Sequence, residues 1–151
     1  MHFVQLILFL HVLAALWLAV GVFGSLVVRG RLQPDDDDHA LRFGVNILSR
    51  FHRLYTLPGV VASGLLGFSL VTAAGYQFTQ LWIAGAALLY VILFHLTLFG
   101  LSPRIAALRR ASQVHHEQAL RTRLAQVGWR RLLGLQALLL VGIVLLMTVK
   151  P

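Results

Sequence analysis

From Phe3 to Val28 the chain carries no Asp, Glu, Lys or Arg. A helix rises 1.5 Å per residue and the hydrocarbon core of a bilayer is about 30 Å thick, so about 20 apolar residues suffice to cross it. This run exceeds that need and predicts a transmembrane helix that tilts or extends past the bilayer. The chain opens Met1-His2-Phe3-Val4-Gln5, without the basic residues of a secretory leader, and no clear cleavage motif follows. The segment is therefore expected to remain as a membrane anchor.

Three further apolar runs, at roughly Leu54 to Gly75, Gln80 to Leu101 and Leu132 to Val149, are each about long enough to span. Only 12% of the 151 residues are charged, against about 25% in an ordinary soluble domain. Spans and connections use nearly the whole chain, which predicts one integral membrane domain over 1–151 and leaves no room for a separate soluble one. The expected fold is all-α, a bundle of four transmembrane helices.

Arginine placement orients that bundle. Arg29, Arg31, Arg42, Arg50 and Arg53 lie between the first two spans, and Arg104, Arg109, Arg110, Arg121, Arg123, Arg130 and Arg131 between the last two. The middle connection, Tyr76-Gln77-Phe78-Thr79, has none. By the positive-inside rule both arginine-rich loops are cytoplasmic and both termini lie outside, in a bacterial plasma membrane. The formal charge of +8 then implies anionic lipid headgroups as the partner and excludes nucleic acid.

The first basic loop starts Pro34 and Asp35 to Asp38, a pattern that caps a helix and suits the positive end of its dipole. Leu41, Val45, Leu48 and Phe51 then share one face, with Arg42, Asn46, Ser49 and Arg53 on another, the spacing of an amphipathic cytoplasmic helix lying at the interface. Pro58-Gly59 should bend or loosen the first turn of the next helix and push Leu57 from ideal helical geometry. Ser102-Pro103 is expected to start another cytoplasmic helix, with Glu117 and Arg121 spaced for an i,i+4 pair. Tyr76 and Trp82 suit the outer membrane interface, and Tyr55 and Trp129 the inner one. Gly59, Ser63 and Gly67 recur every four residues, a small-residue face for close packing within the bundle or between copies in a homo-oligomer or larger complex.

Candidate functional residues are histidines. His11 and His95 fall inside spans, where an ionisable side chain is a functional candidate by default, and neutral imidazole ligates haem iron or hydrogen-bonds a neighbouring helix. Counted along their helices they lie at depths of about 12 and 21 Å from the outer face, so a haem shared between them requires tilted helices. His52, at the inner entry of the second span, is a third candidate. Asp35 to Asp38 with His39, and His115-His116-Glu117, read as solvated segments rather than metal sites, because successive side chains on a helix diverge. Cysteine is absent, so thiolate chemistry is excluded. No span holds a carboxylate, which argues against an ion-coupled transporter and a buried acid/base pair. No catalytic residue is assigned.

Leu10-His11-Val12 with Trp17, Leu54-Tyr55 with Pro58-Gly59, Tyr90 with His95, Ser102-Pro103-Arg104 and the ending Met147-Thr148-Val149-Lys150-Pro151 together resemble a DUF2269-like bacterial family of integral membrane proteins, defined by a domain of unknown function. That family is similar to CopD-like and HemJ-like four-helix membrane proteins. The resemblance covers nearly the whole chain and implies b-type haem held through His11, beside respiratory or haem-handling machinery; from their own positions, His95 is the candidate second ligand and His52 a candidate to pair with His95. The third span opens Gln80-Leu81-Trp82-Ile83-Ala84-Gly85-Ala86, without the histidine and lysine of HemJ-like enzymes, so their oxidoreductase activity is not expected. Copper handling ranks lower, because Met1 and Met147 are the only methionines and soft sulfur ligands are what Cu(I) prefers. The alternative is a cofactor-free structural or assembly subunit.

Overall fold

The computed structural model describes residues 2–33, 37–113, 117–125 and 128–149. Its elements are α1 (His2–Arg31), α2 (Asp38–Phe51), α3 (Leu57–Ala73), α4 (Leu81–His95), α5 (Ser102–Gln113), α6 (Glu117–Ala125) and α7 (Gly128–Val149). Two π-helical turns, π1 (His52–Thr56) and π2 (Leu96–Leu101), join α2 to α3 and α4 to α5 without a break. Among the described residues four helical stretches are long and apolar enough to cross a membrane: Phe3–Arg31, Asp38–Ala73, Leu81–Gln113 and Gly128–Val149. Large apolar side chains such as Leu81, Phe99 and Leu138 stand outward along them, the arrangement a helix needs when lipid is its solvent.

Each π turn sits directly before an X-Pro step, and proline explains both. A proline ring clashes with the carbonyl four residues back and offers that carbonyl no N–H. Widening the preceding turn relieves the clash. The turn is loosened, as expected, but Leu57 keeps helical angles (φ −64°, ψ −54°), contrary to the expectation for that residue, and its N–H bonds back to the His52 carbonyl. The Leu54 carbonyl, which residue 58 would otherwise engage, accepts instead from Trp17 Nε1 at 2.9 Å.

The helices follow the spatial order α3, α1, α7, α4. The α1–α3 seam is the closest: a methyl on Gly59 would lie 2.8 Å from the Leu18 Cα, and one on Gly21 2.6 Å from the Thr56 N. The small-residue face of α3 is thus spent inside the bundle, on α1. Although α3 and α4 are joined by the short turn at 74–80, they stand apart along their length. That turn closes α3 with Gly75 at φ +72°, the Tyr76 N–H reaching the Val71 carbonyl and the Gly75 N–H the Thr72 carbonyl, a glycine-terminated cap that satisfies the last free carbonyls.

The core has two parts. Leu18, Val22, Val60, Ala86, Leu93 and Leu140 belong to the one inside the bundle. The other lies at the arginine-rich end, where Leu41, Val45 and Leu48 of α2 meet Ile105 and Leu108 of α5, Leu120 and Leu124 of α6 and Trp129 of α7. The amphipathic helix α2 is therefore collinear with the second span and buries its apolar face in a helical cap instead of lying on the membrane surface. Ser49, expected on its polar face, is buried, and Trp129 is a core residue rather than part of an interfacial belt. Asp37 caps α2, its side chain accepting from the Ala40 N–H at 2.8 Å. Arg121 pairs with Asp38 at 2.6 Å, bringing α6 to α2; the side chain of Glu117, the expected i,i+4 partner of Arg121, lies outside the described residues, as do Asp35, Asp36, His115 and His116. Arg29, 6% exposed, donates to the Leu32 and Leu124 carbonyls and so ties the end of α1 to α6.

Candidate functional site

The gap between α3 and α4 is a cleft of about 270 Å³ at the end of the bundle that carries the 74–80 turn. Its walls are almost wholly apolar, from Leu18, Phe68, Trp82, Ile83, Ala87 and Ile143 among others. Besides the indole of Trp82, the polar side chains that line it are His11, Ser63 and Tyr90. Ser63 Oγ and Tyr90 Oη both donate to the Val60 carbonyl, so two elements that do not pack otherwise are bridged by one tyrosine hydroxyl. Gly64 makes this possible, since a methyl there would overlap that hydroxyl.

His11 comes from α1, half-buried, against Gly67, where an added methyl would stand 3.1 Å from its Cε1. Its Nδ1 is buried without a hydrogen-bond partner. An unmet polar atom in an apolar bundle is costly; this nitrogen is itself covered by neighbouring atoms, while the His11 side chain as a whole lines the cleft.

The other two histidines are elsewhere. His95 is exposed on the outward face of α4, its Nδ1 donating to the Val91 carbonyl of its own helix at 2.8 Å and its ring between those of Phe94 and Phe99. His52 is buried in π1, with Nε2 2.8 Å from Ser102 Oγ. That hydroxyl donates to the Thr97 carbonyl, so the His52 ring N–H is the donor to it. Thr97 Oγ1 donates to the Leu93 carbonyl and accepts from Gln136 Nε2, each at 2.8 Å. A polar chain thus links the two π turns to α7. The three histidines do not converge on one point, and only His11 lines the cleft.

Sequence reasoning passed over Gln136 and Thr97, although a lone amide in the apolar run of α7 is a visible signal. Ser63 was read for packing alone, and Tyr90 only as part of a resemblance. Among the described residues no group of three or more His, Cys, Asp or Glu is placed to hold a metal ion.

Four apolar spans, an outward apolar surface and a basic helical cap define the class: a multi-pass integral membrane protein. More narrowly, the chain belongs to the family described as predicted integral membrane protein, DUF2269, whose model matches residues 5–151. Neither a curated protein nor a solved structure matches it.

Proposed function

We propose that this protein holds a hydrophobic ligand in the cleft between α3 and α4, with His11 as the polar anchor, and works beside respiratory or haem-handling machinery in a bacterial plasma membrane. Its termini are outside and its arginine-rich cap faces anionic headgroups on the cytoplasmic side, as the distribution of arginine favours. One observation carries the reading: an intramembrane imidazole on the wall of an almost wholly apolar cavity.

The ligand that the family resemblance implies is b-type haem. Of the residues present, His11 is the one lining the cleft that would hold it. Gly67 leaves room for the ring to sit against α3. Bound haem would supply one-electron chemistry; the chain's own part is to orient the imidazole and exclude water. His95, on the far face of α4, does not complete a pair with it.

The rival role, a cofactor-free assembly subunit docking through Gly59, Ser63 and Gly67, loses its motivating surface because α1 already occupies that face. The test is native mass spectrometry and absorption spectroscopy of gently extracted protein. A small molecule should co-purify and be lost from Ala87→Phe, which narrows the cleft at an exposed position, and from His11→Leu. A protein that carries no ligand, and shows no Soret band after haem supplementation, would overturn the proposal.

A further inference from the structure

We infer that the occupant of the cleft is an uncharged, ring-headed lipid of the isoprenoid quinone type, drawn in sideways from the bilayer, its ring against His11 and Tyr90 and its tail leaving between α3 and α4. This rests on reading the cleft as a ligand site and names the ligand's class.

Charge is the first argument. No Lys, Arg, Asp or Glu lines the cleft among the described residues, and all arginines lie toward the opposite end of the bundle. A carboxylate or phosphate placed here would lose its water and find no counter-charge, a heavy penalty in a low-dielectric site. A neutral head avoids it. The same consideration weighs against haem, whose propionates would need the cleft mouth or a partner for their charge.

His11 and the Tyr90 hydroxyl, secondly, lie along one strip of α3. His11 abuts Gly67 and the Tyr90 hydroxyl abuts Gly64, positions three residues apart and so about 4.5 Å along the α3 axis. Most of the remaining lining, Ile83 and Ile143 included, is apolar. A flat ring with oxygen on its edge meets both surfaces at once. Neutral imidazole offers one donor and one acceptor, so His11 can serve a ring carbonyl or, after reduction elsewhere, a ring hydroxyl. The Tyr90 proton is committed to the Val60 carbonyl, which leaves its oxygen as an acceptor.

Size and opening supply the third argument. A volume of about 270 Å³ lies just below the range of about 300–1,000 Å³ that encloses a drug-sized molecule. It takes a single ring and the root of a chain. The remainder must leave, and the exit is apolar: Phe68, Phe78 and Val91 all line the cleft and are 63%, 46% and 49% exposed. Such an opening faces acyl chains, so the path of entry is lateral.

Trp82 reports on the site, because it lines the cleft whereas Trp17 is bonded at the π1 turn and Trp129 is buried in the arginine-end core. Full-length protein in lipid nanodiscs would be titrated with decylubiquinone while tryptophan fluorescence is followed, with haem and phosphatidylglycerol as comparison probes. Quenching should saturate, the saturable part should vanish in Trp82→Phe, and the midpoint should rise about tenfold in His11→Leu, the loss of one hydrogen bond of ordinary strength. Ala87→Phe, at an exposed position and checked for unchanged helicity, should abolish saturation. Quenching that stays linear and equal in all variants would overturn the quinone assignment. A His11-dependent Soret band without saturable quinone quenching would overturn it too while leaving the ligand-cleft reading intact. No binding of any probe and no co-purified molecule would sink both.

Discussion

Replacing Gly59 with alanine should destabilise the bundle out of proportion to the single methyl added. The new carbon would stand 2.8 Å from the Leu18 Cα and 2.9 Å from the Leu18 N, both backbone atoms that cannot swing aside. Carbon atoms rest at about 3.5–4.0 Å, so α1 must recede from α3 by about 0.7–1.2 Å locally, loosening contacts along the seam. Overpacking of this kind costs about 1–3 kcal/mol. Gly134 is the matched control: it lies within α7 with nothing within 4 Å of an added methyl, so Gly134→Ala should stabilise by about 0.5–1 kcal/mol, the helical advantage of alanine over glycine. Gly21→Ala meets the Thr56 backbone across the same seam, and once the helices have parted a second methyl costs less. The double variant should therefore fall short of the sum of the two singles. Reversible unfolding in mixed detergent micelles, followed by far-UV circular dichroism, measures all four. If Gly59→Ala proves as stable as Gly134→Ala, the close approach of α1 and α3 is wrong.

Two further outcomes follow from the arginine-rich end. Arg29→Met removes the hydrogen bonds that hold the Leu32 and Leu124 carbonyls and should cost about 1.5–3 kcal/mol for each bond made by a charged donor, read as earlier proteolysis of α6 with the spans intact. Ser102→Ala leaves the buried His52 ring without its partner and should cost about 1–3 kcal/mol, whereas Ser102→Thr, which keeps the hydroxyl, should recover most of it in the same unfolding assay.

The spans were legible because lipid imposes so simple a demand: some twenty apolar residues, bounded by arginine. Which faces meet was not, and for the same reason. A helix that is apolar all round gives no contrast between lipid-facing and partner-facing positions, so Leu93, fully buried, and Leu88, at 62% exposed, look alike in the sequence. His11 and His95 show the problem at the candidate site. Both are single imidazoles in apolar runs, yet one lines a cleft and the other bonds its own helix on the outside. Only the partner surface separates them: Gly67 opposite His11, and nothing comparable opposite His95. The small-residue strip on α3 was readable as a packing face, but that it also frames the two polar anchors emerges from where Tyr90 arrives.

The paired π turns leave a signature in the spacing of buried positions. Leu48, His52, Thr56 and Val60 are buried, and so are Leu93, Thr97, Leu101 and Ile105; each series advances four residues at every step. Three regular turns would consume about 10.8 residues, and here they take twelve, so each helix carries one residue more than its turns require. That surplus is a phase slip of roughly a quarter of a revolution, placed at the boundary between bundle and cap. It lets each continuous helix aim one apolar stripe into the bundle and a separately angled one into the cap. Deleting a single residue from either turn would therefore leave both halves helical and rotate one against the other, which makes the pair a coupling joint between two independently packed cores.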